Sequence, residues 1–290
     1  MEQFINLDSL DDILNNQQKY YSTYRIYKDK PDGTVKVRKI TSPNMEYKEL
    51  LKSINNYMIS NDLFLIHSKS FAWANNLDRF DCVAPHVNQR YVVEADIKNY
   101  FDNVTEEHLI ELFNRHNIAE IGGVPIESII KLVTIPYRGK LQLPQGFPTS
   151  PYFANAVRYP MDCDIEAFAK ANNYRFTSYG DNFFLSGYKI NPGLKNSIKA
   201  IAEKYNFYIP NRKIKVMPYY KRQMILGIII NKKLSVPKEY VNETIGSVIK
   251  CIKNNEPISP SLRGKIAVLK QSTNQRNYNY INKLLENYNG

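Results

Sequence analysis

The sequence is poor in the residues that cross-link or anchor a chain. Its three cysteines, Cys82, Cys163 and Cys251, lie far apart, with no CxxC pair and no histidine at zinc spacing. That excludes both a disulfide scaffold and a zinc ribbon. Long hydrophobic runs are missing too: the longest stretch of apolar residues and glycine, 224–230, falls far short of a bilayer span. The start, MEQFINLDSLDDIL, is acidic and interrupted, unlike a secretory leader. No internal repeat, low-complexity tract or Gly/Ser linker divides the chain. These absences predict a reducing, soluble setting, most simply the cytoplasm, and no membrane partner. Acidic residues are in short supply as well: 28 Asp+Glu face 39 Lys+Arg, a formal charge of +11. Such a chain is a candidate for binding a polyanion, nucleic acid first, although solubility alone is an equal explanation of the charge. What is present suffices for a folded protein: 290 residues, 43% of them hydrophobic, bury a core without staples, as one large domain or two.

The apolar spacing predicts a short first helix through Phe4, Leu7, Leu10, Ile13 and Leu14, then a basic hairpin of residues 24–27 and 34–40 around the turn Pro31-Asp32-Gly33. A helix is expected at 47–59, a strand at 91–97 and a helix at 106–114. The loop LPQGFPTSP opens a further helix, with Ser150 as N-cap and Pro151 in the first turn. Phe153, Ala156, Val157, Met161, Ile165, Phe168 and Ala169 mark its buried stripe, kinked at Pro160. Two β-type runs, 174–179 and 183–185, meet across Gly180-Asp181. A helix at 192–205, a basic segment at 212–222 and a strand at 224–230 complete a β-α-β-β-α-β order, the ferredoxin-like split arrangement of an α+β protein. The last 55 residues, with eight Lys/Arg against four Asp/Glu, are expected as two or three short helices.

Asp96 closes an apolar strand in VVEADIKNYF, where a carboxylate is costly unless paired, and a metal is the usual partner. Asp181 stands at the tip of the hairpin SYGDNFF. If strand and hairpin are sheet neighbours, both carboxylates reach one edge, as a two-Mg²⁺ phosphoryl-transfer site requires. Each aspartate alone is as readily a helix cap or a turn residue.

The order of blocks, strand–DIKNYF, LPQGFPTSP–helix, YGDN hairpin, Lys213, then Leu226-Gly227, resembles the reverse transcriptases, and most of all the bacterial retron and defence-associated abortive-infection enzymes. The resemblance implies a right-hand polymerase: fingers at 1–90 and 106–147, palm at 91–105 and 148–235, and a short helical thumb at 236–290. It implies RNA-directed DNA polymerisation by two-metal nucleotidyl transfer, with Mg²⁺, or Mn²⁺ in its place, held by Asp96, Asp181 and the carbonyl of Ile97. Phe101 would be the ring that excludes a 2′-hydroxyl. Gln145 and Gly146 would lie against the incoming dNTP and template base, Arg38 would contact the triphosphate, and Lys213 would stand near the phosphates as a general acid. Arg263, Lys265 and Lys270, at near-helical spacing, would face template–primer phosphates. A structured non-coding RNA supplying template and primer, an anti-phage role and a possible effector protein follow from the same likeness.

Three departures bear on these expectations. The tetrad usually written YxDD is YGDN here, with Asn182 in the second carboxylate's place among the catalytic residues. Ile225-Leu226-Gly227 replaces VTG, and Cys82 and Val83 replace the Asn-Ala pair upstream of His86, which is as readily a structural histidine. Template-independent or protein-primed synthesis, and a catalytically silent RNA-binding scaffold, stay open as alternatives.

Overall fold

The computed structural model describes residues 10–29, 33–74, 77–286 and 288. Phe4 and Leu7 of the expected first helix, and Pro31 and Asp32 of the expected turn, lie outside the described residues. The chain opens with α1 (Leu10–Asn16) and an antiparallel hairpin of β1 (Tyr21–Asp29) and β2 (Val35–Pro43). Helix α2 (Met45–Ser60) starts at Asn44, whose side chain accepts from the Tyr47 N–H at 2.9 Å. Helix α3 (Arg79–Val83) starts at a capping box of Asp78 and Asp81. After β3 (Tyr91–Asp96) come α4 (Glu106–Arg115), β4 (Glu120–Ile121), β5 (Val124–Pro125), α5 (Ile126–Val133), β6 (Ile135–Tyr137) and β7 (Lys140–Gln142). Then follow α6 (Ser150–Ala171), β8 (Arg175–Tyr179), β9 (Asn182–Gly187), α7 (Leu194–Lys204) and β10 (Ile214–Pro218). The hairpin of β11 (Met224–Ile225) and β12 (Ile228–Ile229) leads to α8 (Lys238–Asn254), α9 (Pro260–Gln271) and α10 (Gln275–Glu286).

Strands β3, β8, β9 and β10 form one antiparallel sheet in the order β10-β3-β9-β8. With α6 and α7 as crossovers this is the β-α-β-β-α-β split arrangement. Both faces are covered. Val93, Ala95, Phe183, Leu185 and Ile214 join the main core with Phe153 and Ile165 of α6 and Ile198 of α7. Val92, Phe184 and Met217 join a second cluster with Phe80, Cys82 and Val83 of α3 and Ile225 and Ile228 of the last hairpin. Burial on both sides is why β3 and β9 are near-continuous apolar runs.

The fourth strand differs from expectation. Residues 224–230 do not enter the sheet; β10, inside the stretch expected as merely basic, takes the edge beside β3. Leu226 and Gly227 sit at φ +50° and +79°, a two-residue turn that folds the run back on itself. Its isoleucines then cover the back of the sheet instead of extending it. The cap of α6 also moves by one: Thr149 holds the cap position, while the Ser150 hydroxyl, already in the helix, donates to the Pro144 carbonyl at 2.8 Å. The helix runs unbroken past Pro160. Helices α8–α10 close on a third cluster of their own, built on Val241, Val248, Leu262, Leu269 and Ile281.

Candidate active site

Register places the two aspartates together. Asp96, the last residue of β3, is opposite Asn182, the first of β9, and the Ile97 N–H donates to the Asp181 carbonyl at 2.9 Å. Gly180 takes φ +60° at the first central position of the β8–β9 turn, the position a type II′ turn gives to glycine. Asp181 is thereby carried to the sheet edge beside Asp96. Burial, and then the neighbouring Asp96 charge, push the Asp181 carboxyl above its ordinary pKa, while Lys213 and Lys36 oppose the shift. Two carboxylates sharing a partly desolvated corner call for a cation. Lys213, just before β10, donates its Nζ to Asp96 Oδ1 and to the Ile97 carbonyl, the latter at 3.2 Å. The ammonium thus rests on two of the oxygens that the resemblance assigns to metal. An all-oxygen set of this kind fits a hard divalent ion, and Asn182 adds an amide whose Nδ2 donates to Asp181 Oδ1 at 3.0 Å. Among the described residues, no group of three or more His, Cys, Asp and Glu forms a metal cluster.

The loop 143–149 joins this corner to the first hairpin. The Thr41 N–H donates to the Gln145 carbonyl at 2.8 Å. Gly146 sits at φ +124°, where a Cβ would fall 2.3 Å from the Thr41 carbonyl oxygen and 3.2 Å from the Ile40 side chain. Only glycine admits that approach. Lys36, Arg38 and Ile40 alternate along β2 and so share the face that meets Gly146; Arg38 itself is exposed. Tyr100 is core, its hydroxyl donating to the Ala154 carbonyl at 2.5 Å. Phe101 is only partly buried and meets the Trp73 ring edge-on, centroids 5.6 Å apart.

Arg263, Lys265 and Lys270 lie apart from this corner, on α9. They do not share one face: positions 263 and 270 are two turns apart, whereas 265 is offset by about 200° from 263. Lys265 instead pairs with Glu243 of α8 at 2.5 Å. His86 is fully buried, its Nδ1 2.7 Å from the Ser186 hydroxyl and its Nε2 2.8 Å from that of Thr177. It clips β8 to β9 as a neutral ring, its pKa drawn down to about 3 by burial.

Sequence reasoning overlooked Trp73 and the pair Arg158–Asp162. Arg158 is fully buried in α6 and donates from Nε (3.1 Å) and Nη2 (2.8 Å) to Asp162 Oδ1, and from Nη1 to the Gly180 carbonyl. The i, i+4 spacing of opposite charges was a readable signal. Burial beneath the Gly180-Asp181 turn was not.

Residues 28–230, well over half of the chain, match the family described as reverse transcriptase (RNA-dependent DNA polymerase). The chain is 23% identical over 276 residues to the retron Ec86 reverse transcriptase of Escherichia coli, covering 91% of this chain and 82% of that protein. It is 25% identical over 228 residues to the retron Mx162 reverse transcriptase of Myxococcus xanthus, covering 70% of this chain and 46% of that one. A solved foamy viral protease–reverse transcriptase in complex with double-stranded DNA aligns at TM-score 0.43 and 16% identity, over 97% of this chain and 46% of that chain. The chain therefore belongs to the reverse transcriptase family of RNA-directed DNA polymerases, and within it to the retron type of bacteria.

Proposed function

We propose that the corner of Asp96 and Asp181 is the nucleotidyl-transfer centre, joining a primer 3′-hydroxyl to the α-phosphate of a dNTP with release of pyrophosphate. The observation that carries this reading is a cation, the Lys213 ammonium, seated between the Asp96 carboxylate and the Ile97 carbonyl beside a second carboxylate. Reverse transcriptases use divalent metals; bound here, two Mg²⁺, or Mn²⁺, would acidify the 3′-hydroxyl and neutralise the charge of the departing pyrophosphate. Asp96, Asp181 and the Ile97 carbonyl are the residues that would hold them. Lys213 then protonates the leaving pyrophosphate, Arg38 binds the triphosphate from the β2 face, and Gln145 with Gly146 backs the nucleotide and template base. Phe101 excludes the 2′-hydroxyl of a ribonucleotide.

In this reading residues 1–90 and 106–147 act as fingers, 91–105 and 148–235 as palm, and 236–290 as thumb, where Arg263 and Lys270 face template–primer phosphates. Likeness to retron enzymes and the charge of +11 support a structured non-coding RNA as template and primer, copied in the cytoplasm as part of anti-phage defence with an effector protein. Primer extension on an RNA template with Mg²⁺ tests the centre. The parent extends and a folded Asp181→Ala variant does not; equal extension by both would leave an RNA-binding scaffold as the better account.

A further inference from the structure

Trp73 is the chain's single tryptophan, and it stands at the catalytic turn, half exposed, rather than in a core. Its backbone is held at φ +56°, a left-handed conformation that bulky side chains rarely adopt and that persists only where the surroundings impose it. Here they do. The preceding segment is zipped along the free edge of β8: the Ser178 N–H donates to the Lys69 carbonyl at 2.8 Å, and the Phe71 N–H to the Ser178 carbonyl at 3.0 Å. The buried amide of Asn155 on α6 then donates to the Ala72 carbonyl at 2.7 Å. The chain leaves the sheet edge at a fixed point and lays the indole across the turn, 3.3 Å from where a Cβ on Gly180 would stand.

From there the indole meets the Phe101 ring edge-on, at 5.6 Å between centroids. Phe101 also meets Tyr100 edge-on, at 6.0 Å, and Tyr100 is itself pinned to Ala154. A ring can exclude a hydroxyl only if it cannot swing aside. A partly exposed phenylalanine changes rotamer readily, and edge-on contacts with two further aromatics, one of them pinned through its hydroxyl, oppose that movement. We infer that Trp73 is a specificity-determining residue of the polymerase, holding Phe101 against the sugar of the incoming nucleotide so that deoxyribonucleotides are selected over ribonucleotides. The inference rests on the reading of Phe101 as the ring that faces the 2′ position.

Single-nucleotide incorporation by the full chain on a template–primer tests it, comparing kcat/KM for a dNTP with that for the matching NTP. Phe101→Ala should lose most of the discrimination. Trp73→Ala should lose at least about tenfold of it through faster NTP incorporation, and Trp73→Phe, which keeps a ring, should lose less than about threefold. A merely structural tryptophan would lower the melting temperature and leave the ratio unmoved; discrimination intact in Trp73→Ala but lost in Phe101→Ala overturns the inference. Discrimination intact in both overturns the reading of Phe101 itself, and the inference with it. A second measurement needs no variant. With one tryptophan, the parent's emission reports this position alone, and on a template–primer ending in a 3′-deoxynucleotide the cognate dNTP should shift it and shield it from acrylamide. Emission and quenching indifferent to a saturating cognate dNTP would overturn the proposal.

Discussion

The guanidinium of Arg158 donates to the carbonyl of Gly180, so that a fully buried cation sits directly beneath the turn carrying Asp181. Asp162, equally buried, accepts from Arg158 at 2.8 Å and from the Ser178 hydroxyl at 3.2 Å. Helix α6 and the β8–β9 hairpin are thus joined by charge at the point where the hairpin carries Asp181, the aspartate proposed for catalysis.

Removing one member of this pair strands the other in an apolar interior. Arg158→Met or Asp162→Asn should each cost about 3–5 kcal/mol of unfolding free energy, while the double variant should cost clearly less than the sum of the two. Arg158→Lys keeps the charge but loses the planar fork that reaches Asp162 and Gly180 together, and should fall between parent and Arg158→Met. Denaturant unfolding of the four variants measures this; additive losses would show that the pair does not act as a unit.

Asn182 is bonded to Asp181 through its amide, which sets the expected behaviour of Asn182→Asp. Without divalent ions, a carboxylate in place of that donor repels an Asp181 already pushed toward protonation by burial and Asp96. The variant should therefore melt below the parent in a chelator and gain more from added Mg²⁺ than the parent does, with extension at limiting Mg²⁺ equal or higher. Asn182→Ala should be milder than Asp181→Ala. Thermal melts and extension across a Mg²⁺ titration decide; an equal Mg²⁺ response in parent and Asn182→Asp would count against metal at this corner.

Gly146→Ala should separate the first hairpin from the loop. The added methyl would lie 2.3 Å from the Thr41 carbonyl oxygen at a φ of +124°, so the backbone must shift. A loss of roughly 1–3 kcal/mol is expected from the conformation alone, and the KM for dNTP should rise as β2 moves. Steady-state kinetics beside denaturant melts would show it; an unchanged KM would mean that hairpin and loop need not stay joined for nucleotide binding.

On α9, Lys270 is free of the ion pair that ties Lys265 to Glu243. Lys270→Gln should flatten the log–log salt dependence of template–primer binding by about 0.7–0.9, and Lys265→Gln should do so by less, since its charge already has a partner. Binding isotherms at several salt concentrations measure both slopes. No change for Lys270→Gln would place it outside the nucleic-acid path.

His86 makes the fold sensitive to acid. Its pKa falls from 6.5 in the unfolded chain to about 3 in the folded protein, because burial disfavours the charged ring. As pH drops below 6.5 the unfolded chain takes up the proton first. Stability from this residue is therefore fully present above 6.5 and is lost as pH falls toward 3, by up to about 1.4 kcal/mol per pH unit. The advantage of the parent over His86→Gln in unfolding free energy should shrink between pH 7.5 and pH 5; a constant difference would mean that burial does not shift the His86 pKa.

Local chemistry was legible in the sequence by itself. Gly180-Asp181 and the apolar runs on either side define a hairpin because glycine tolerates positive φ and the runs need burial. The stripe on α6 and the aspartate ending β3 follow from periodicities that the backbone enforces. The family was legible too, since short blocks in fixed order carry it. Which run becomes the fourth strand was not: 224–230 is the more apolar, but Leu226-Gly227 folds it back, and β10 wins the edge by covering the sheet with Ile214 and Met217 despite Lys215. Nor could the sequence say that Lys213 reaches Asp96, 117 residues away, that Arg158 is buried under Gly180, or that Trp73 meets Phe101. Helical and strand periods fix which way a side chain faces within its own element. What it faces is decided only when sheet register and packing bring distant segments together, and each of these contacts joins segments that no local rule relates.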